Sequence, residues 1–173
     1  MPIYALGSLE PSIDSTAYVH PDAVVIGEVT LGSESSVWPS AVLRGDPGGI
    51  VIGARTSIQD GTVVHTTPMT PTRVGDECVI GHLVHLEGCT IGNGSLVGSG
   101  AVVLNGAVIE DEALVGAGAL VPGNLTVPRR AMALGVPATL KIGALTSVEH
   151  IRSGMLVYVE RGRTYREQLR RID

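Results

Sequence analysis

Three histidines and one carboxylate lie close together in the middle of the sequence, and their side chains are of the kind that bind metal ions. His65, His82 and His85 are three of the five histidines in the chain, and Glu87 follows shortly after them. Two imidazoles and one carboxylate form a zinc-binding set that leaves one position open for water. The same donors form the facial set of non-haem iron(II) sites. The residue types therefore favour metal-assisted chemistry, provided that the fold brings them together.

The elements that must position these side chains follow a period of six residues. Aliphatic residues recur at this spacing through most of the chain: Val19, Val25, Leu31, Val37 and Leu43; Ile52, Ile58 and Val64; Val74, Ile80 and Leu86; and, after one step of five, Ile91, Val97, Val103, Ile109, Val115, Val121 and Val127. Repeats of this length are typical of a parallel β-helix, in which stacked coils bury columns of similar side chains. We therefore predict an all-β solenoid of hexapeptide repeats.

This register places the candidate ligands on two faces of the solenoid. If three hexapeptides complete one coil, Leu86 returns to the face of Val64, one coil further along. His65 and Glu87 then project outward from the same face on adjacent coils, about 4.8 Å apart at the backbone. His82 lies on the preceding face, around a corner. One chain would not easily bring all three together, whereas in a trimer the His82 of a neighbouring subunit could meet the His65–Glu87 pair.

The six-residue period ends near Gly135-Val136-Pro137-Ala138. Beyond this point apolar residues recur every three or four positions, which predicts a helix. Thr146, with Glu149 three residues later, has the pattern of a capping box at the start of that helix. We expect a solenoid domain over residues 1–143 and a C-terminal helix over residues 144–173, packed on the solenoid or on a neighbouring subunit.

Composition argues against several classes of protein. The net charge of −5 and the sequence pI of about 5.5 do not fit a nucleic-acid-binding protein, which needs a basic surface. We find no apolar stretch of about 18 residues that would span a membrane, and the first nine residues do not resemble a signal peptide. Two cysteines are too few for a disulfide framework, and Cys78 falls where the repeats place small inward residues. We expect a cytoplasmic protein with reduced thiols.

Several short motifs around the candidate ligands are similar to those of a known family. They are Arg44-Gly45-Asp46, Ile58-Gln59-Asp60-Gly61, His65, Ile80-Gly81-His82 and the shortened repeat Leu86-Glu87-Gly88-Cys89-Thr90. The chain resembles the γ-class carbonic anhydrases over nearly its whole length. This resemblance implies a left-handed coil, a homotrimer and a metal site between subunits. The metal would be Zn²⁺, or alternatively Fe²⁺ or Co²⁺, and the reaction the reversible hydration of CO₂ to bicarbonate.

The resemblance also implies roles for individual residues. His65 matches the first metal histidine of the family, and His82 matches the second, which the adjacent subunit supplies. Gln59 would lie beside the metal-bound water and orient it. Three charged residues match those that support the contacts between subunits: Arg44, Asp46 and Asp60.

The sequence departs from the family pattern at the third metal ligand. The family histidine falls on Glu87, and His85 is a substitute candidate because residues two apart on a strand point the same way. We prefer Glu87, because His85 lies nearer the corner of the coil. A carboxylate ligand lowers the charge on the metal and makes its bound water less acidic, whereas the reaction needs that water ionised near neutral pH. The loop Thr66–Arg73 also lacks the carboxylate that carries protons away in the best-studied enzymes of the family.

These observations leave three hypotheses about function. The first is a metal-dependent carbonic anhydrase that uses His65, His82 and Glu87. The second is a homologue that keeps the trimer but has lost the activity and acts as a structural or binding protein. The third is a hexapeptide acyltransferase or thioesterase acting on an acyl-CoA, since such enzymes share the solenoid and a fold does not fix a function.

Overall fold

The chain folds as a series of short strands followed by one long helix. The structure is a computed structural model that describes residues 2–145 and 147–173. Within these residues the elements are β1 (Ile3–Tyr4), β2 (Ser12–Ile13), β3 (Tyr18–Val19), β4 (Val24–Leu31), β5 (Ser36–Val37), β6 (Val42–Ile52), β7 (Ser57–Ile58), β8 (Val63–His65), β9 (Thr72–Val74), β10 (Val79–Ile80), β11 (His85–Glu87), β12 (Thr90–Ile91), β13 (Leu96–Val97), β14 (Val102–Val103), β15 (Val108–Ile109), β16 (Leu114–Val115), β17 (Leu120–Val121), β18 (Thr126–Val127), β19 (Met132–Leu134), β20 (Thr139–Lys141) and α1 (Glu149–Gln168).

The strands stack in parallel ladders that form the three faces of a solenoid. Face A contains the first part of β4 and of β6, then β8, β11, β14 and β17; face B contains the remainder of β4 and of β6, then β9, β12, β15 and β18; face C contains β3, β5, β7, β10, β13, β16 and β19. Leu86 pairs with Val64, as the six-residue register predicts. The molecule is a left-handed parallel β-helix of about seven coils, which confirms the predicted fold class.

The strands of the three faces bury aliphatic side chains, and small residues fill the corners of the coil. Leu43, Val64 and Leu86 of face A are completely buried, as are the corner residues Ala101 and Ala107. Successive coils align these side chains in columns, so the core is filled without large aromatic residues. The two cysteines are free and buried. Burial raises the pKa of each thiol to about 12, and Cys78 occupies the inward position that the repeat predicts.

Two loops on successive coils protrude from the corner between faces A and B beside His65, and we call them excursions. The register of β6 against β4 shifts after Gly45, where the chain makes the extra turn Asp46–Gly49. Gly48 has a φ of +92°, and a Cβ there would lie 2.2 Å from the carbonyl oxygen of Thr67. The excursion of β6 is therefore packed directly against the next one, Thr66–Thr70, which ends where β9 begins. The loop predicted over Thr66–Arg73 is confirmed for its first part, whereas Thr72 and Arg73 belong to β9; the loop lies beside the candidate ligand His65.

Helix α1 packs lengthwise on face C of the solenoid in its own chain. Its buried side chains Ile151, Met155 and Val159 form a small apolar cluster with Val79. The predicted capping residue Thr146 lies outside the described residues; next to it, the Ser147 hydroxyl accepts the Glu149 backbone N–H at 3.2 Å. Among the described residues, no helix combines the length and apolar character needed to cross a bilayer.

Candidate functional site

The outward side chains of face A form a column that contains two of the predicted metal ligands. Arg44 pairs in register with His65, and His65 pairs with Glu87, on three successive coils. Because parallel strands align equivalent positions, these side chains stack above one another on the surface. The His65 Nδ1 lies 3.6 Å from Glu87 Oε1. The structure thus brings together the His65–Glu87 pair that the repeat register predicts.

Asp46 reaches the same site from the excursion in β6. Its Oδ1 lies 3.2 Å from His65 Nε2, and its Oδ2 accepts a hydrogen bond from Arg44. Burial alone would raise the pKa of the Asp46 carboxyl, but the hydrogen bond and charge of Arg44 and the contact with His65 outweigh it and lower that pKa. The carboxylate therefore stays ionised. Arg44 and Asp46, for which the resemblance implies roles between subunits, also contact each other within one chain.

Glu87 lies between two imidazoles, and both candidates for the third ligand belong to one cluster. While one carboxylate oxygen faces His65, the other lies 3.2 Å from His85 Nε2. The alternatives Glu87 and His85 are therefore neighbours in contact. We call the set Arg44, Asp46, His65, His85 and Glu87 the face A cluster.

His82 lies at the corner between faces C and A, and it pairs with Asp60 one coil below. The distance from His82 Nδ1 to Asp60 Oδ2 is 2.9 Å, and the side chains are 48% and 47% exposed. The backbone N–H of Leu83 donates to the Asp60 carbonyl at 2.9 Å, which fixes the two corners against each other. Because the carboxylate accepts the Nδ1 proton, Nε2 remains available as a base or a metal ligand.

Within one chain, the His82–Asp60 pair and the face A cluster remain separate. His82 lies in the turn at the corner between faces C and A, whereas His65 and Glu87 lie on strands of face A. In the part of the chain that the structure describes, no three His, Cys, Asp or Glu side chains are grouped closely enough to hold one metal ion. The expectation that a single chain does not assemble the site is consistent with this separation.

Gln59 lies on face C, beside the His82–Asp60 pair, and not beside His65. It directly precedes Asp60 and is only 4% exposed. Two residues earlier, the buried Ser57 hydroxyl has no hydrogen-bond partner within residues 2–145 and 147–173. The predicted position of Gln59 beside a metal-bound water is therefore not formed within one chain and would require a second copy.

Helix α1 contributes an aromatic residue and an arginine to this part of the surface. Tyr158 makes an edge-to-face contact with Trp38, with ring centroids 5.4 Å apart. The guanidinium carbon of Arg161 lies 5.5 Å from the centre of the Tyr158 ring. Burial raises the pKa of Tyr158, and the nearby Asp60 charge adds to this effect while Arg161 opposes it. The helix therefore reaches the corner that carries the His82–Asp60 pair.

The geometry of the His65–Glu87 pair fits two positions of a zinc site. Ligand atoms about 2.0–2.1 Å from a tetrahedral zinc ion are roughly 3.4 Å apart. The separation of 3.6 Å between His65 Nδ1 and Glu87 Oε1 is close to that value. A third ligand would have to come from outside this chain or from a rearranged His85. The resemblance to γ-carbonic anhydrases assigns that position to His82 of an adjacent subunit.

Comparisons with known proteins show similarity to transferases with hexapeptide repeats. The family described as "Bacterial transferase hexapeptide (six repeats)" matches residues 71–105 and 88–123. The structure of a hexapeptide transferase family protein from Anaplasma phagocytophilum is 34% identical, covers 95% of this chain and 98% of that one, and has a TM-score of 0.90. A Bacillus cereus protein with a provisional acetyltransferase assignment is 34% identical, with coverage of 96% and 98% and a TM-score of 0.94.

A curated relative matches over a shorter region. The carnitine operon protein CaiE of Escherichia coli O157:H7 is 44% identical over 96 residues, which are 56% of this chain and 49% of that protein. The chain thus spans about half the length of the curated relatives that it matches. Within this wider family, the γ-carbonic anhydrase resemblance is a narrower hypothesis. On the full-length similarity to the two solved structures, the chain belongs to the hexapeptide transferase family.

Proposed function

We propose that this protein transfers an acyl group from a thioester such as an acyl-CoA, with His82 as the general base. The observation that carries the proposal is the His82–Asp60 pair, with 2.9 Å between Nδ1 and Oδ2. The carboxylate orients the ring and leaves Nε2 open to take a proton from an attacking hydroxyl, amine or water. As the C–S bond breaks, the imidazolium returns this proton to the thiolate. Membership of a transferase family supports this chemistry.

His82 is better placed for this role than the two other histidines of the site. His65 has a carboxylate oxygen near each ring nitrogen, Asp46 at 3.2 Å and Glu87 at 3.6 Å. His85 shares the Glu87 carboxylate with His65. His82 has a carboxylate of its own and lies half exposed at a corner of the coil, where a substrate can approach.

We infer that the complete site lies between copies of the chain in a homotrimer. On face A, the outward column that contains His85 is otherwise apolar: Val24, Val42, Val63, Val102 and Leu120. Leu83, next to His82, is 71% exposed. A head-to-tail contact would cover these side chains and bring the His82–Asp60 pair of one copy to the face A cluster of the next. Three such contacts close a ring.

The experiment is a thiol-release assay with acetyl-CoA and longer acyl-CoA substrates, with and without amine or hydroxyl acceptors. His82→Gln should slow release at least about 100-fold, which is the usual contribution of a general base. His150→Gln is the matched control, since His150 is exposed on α1 and away from the site. Wild-type protein that releases no thiol, or equal rates in both variants, would remove the proposal.

A second candidate function is the metal-dependent hydration of CO₂, and the spacing of the His65–Glu87 pair favours it. His65, Glu87 and the His82 of another copy would hold Zn²⁺, alternatively Fe²⁺ or Co²⁺, with Gln59 beside the site. A bound zinc ion would supply a water of lowered pKa. The negative charge of Glu87 would make that water less acidic than three neutral imidazoles would. Because the reaction needs that water ionised near neutral pH, the same substitution supports the hypothesis of a metal-binding homologue without activity.

Metal content and activity separate these possibilities. Glu87→Gln should lose bound zinc in elemental analysis, whereas Glu10→Gln, an exposed position near the N-terminus, should retain it. If Glu87→His creates CO₂ hydration in an otherwise inactive protein, the chain is a silent homologue of the carbonic anhydrases. Equal zinc content in Glu87→Gln and wild-type protein would contradict the predicted coordination.

A further inference from the structure

Leu83 is a large apolar residue that lies in solvent directly beside the proposed base. It follows His82 in the chain and is 71% exposed. Its backbone N–H donates to the Asp60 carbonyl at 2.9 Å, and a Cβ built on Gly61 would lie only 2.6 Å from Leu83 Cδ2. The His82 ring thus reaches Asp60 on the coil below, while the Leu83 side chain reaches the next residue, Gly61. The two side chains therefore lie next to each other across the same corner.

The backbone at Leu83 has a conformation that does not favour leucine. Its φ is +58°, a left-handed value that glycine adopts freely and other residues adopt at a cost. The equivalent corner positions of neighbouring coils carry glycine or serine: Ser40, Gly61, Gly100 and Gly118. The remaining non-glycine residues with positive φ in the described part of the chain are polar: Glu34, Arg55, Glu77, Glu112, Asn124 and Arg130. Among the described residues, Leu83 is therefore the one apolar side chain held in this conformation.

The exposure of Leu83 points to an apolar group that covers it during the reaction. A leucine side chain gains free energy when another apolar group removes it from water, and within its own chain Leu83 stays mostly in water. In acyl transfer, the thioester carbonyl must lie close to the nucleophile that His82 Nε2 deprotonates. Since consecutive Cα atoms are about 3.8 Å apart, an acyl chain of a few methylene groups that extends from this carbonyl comes within reach of Leu83.

We propose that Leu83 contacts the acyl chain of the thioester and so determines which acyl groups the site accepts. This inference rests on the proposed acyl transfer, and it assigns a substrate class to it: acyl-CoA with an apolar chain longer than acetyl, because an acetyl methyl group is too short to cover a leucine. In the proposed trimer, Leu83 would line the cleft that His82 faces. Leu83 binds substrate and takes no part in moving the proton.

Selectivity for chain length tests the proposal. In Leu83→Gly, kcat/KM for octanoyl-CoA should fall about tenfold relative to kcat/KM for acetyl-CoA, as expected for the loss of one apolar contact in a substrate pocket. Glycine suits the positive φ, so this variant should remain folded. Leu83→Met keeps an apolar side chain and should preserve the selectivity. Leu6→Gly, at a leucine near the N-terminus that is 49% exposed, is the matched control and should behave as wild type.

A binding measurement separates this inference from the proposed reaction. Octyl-CoA, a thioether that acyl transfer cannot cleave, is titrated into the intact protein in a calorimeter. It should bind wild type and Leu6→Gly alike and Leu83→Gly about tenfold more weakly, whereas CoA itself should bind all three equally. This arm needs no turnover, so it decides the role of Leu83 even if no thioester is consumed. Equal octyl-CoA affinity in wild type and Leu83→Gly, or no binding to wild type, would overturn the proposal. Dissociation of the Leu83→Gly oligomer in sedimentation would also overturn it, because Leu83 would then be a subunit contact.

Discussion

Replacing Asp60 with asparagine should slow acyl transfer while the protein remains folded. The Asp60 carboxylate accepts the Nδ1 proton of His82 over 2.9 Å, and both side chains are about half exposed. A pair this exposed contributes less than about 1 kcal/mol to stability. An asparagine can instead donate its amide N–H to Nδ1, which favours the wrong tautomer and removes the lone pair from Nε2. We expect kcat to fall about 10²- to 10⁴-fold.

The assay is thiol release at saturating acyl-CoA, with urea unfolding measured on the same preparations. Asp22→Asn is the matched control: His20 and Asp22 also form a histidine–aspartate pair, but Nδ1 and Oδ2 are 3.8 Å apart, too far for a hydrogen bond. The control should retain wild-type kcat. If Asp60→Asn also retains it, the pair does not orient a base and the reasoning fails; if Asp60→Asn is unstable instead, the pair is structural.

The remaining predictions concern stability and reactivity. Leu86 is fully buried, so Leu86→Ala should lower the free energy of unfolding in urea by about 2–5 kcal/mol. Met69 is 87% exposed, so Met69→Ala should lower it by less than about 0.5 kcal/mol. Equal effects of the two substitutions would contradict the core assignment. Hydrogen bonds from Arg130 and Arg129 lower the pKa of Glu112 below 4.5. Glu112→Gln should therefore lower the free energy of unfolding by up to about 1 kcal/mol at pH 7. This difference between variant and wild type should shrink as pH falls below 4.5 and vanish below the pKa of Glu112 in the folded protein. A difference that does not change with pH would contradict the pairing. Both thiols have a pKa of about 12 and should react with a disulfide reagent only after unfolding; fast labelling of folded protein would disagree.

The fold could be predicted from the sequence because a single periodicity specifies it. Each hexapeptide buries its aliphatic residue independently, so Leu86 returns to the face of Val64 once the loop between Val64 and Val74 is recognised as an insertion in the six-residue register. The adjacency of His65 and Glu87 follows from the same register. These are consequences of local spacing, which a sequence records directly.

Other contacts of the site depend on structure that the period does not encode. Asp46 reaches His65 only because the β6 excursion places it there. Tyr158 belongs to the apolar stripe of α1, which predicts that the helix packs without specifying the face of the solenoid, whereas Arg161 belongs to the arginines that the sequence predicts on the solvated face of the helix. The contact of Glu87 with both His65 and His85 depends on side-chain rotamers, so the choice between Glu87 and His85 remained open in the sequence.

The most direct test of the account is activity in mixed oligomers, because its central claim is that two chains share each site. The complete site joins the His82–Asp60 pair of one copy to the face A cluster of the next, which contains His65, so His65→Gln and His82→Gln should each be inactive alone. If they are unfolded together and refolded as a mixture, a site is intact only where a chain with His65 meets a chain with His82. Random assembly in a closed ring then restores about one quarter of the wild-type activity per chain. No recovery in oligomers shown to contain both variants, or full activity in either variant alone, would contradict the shared site.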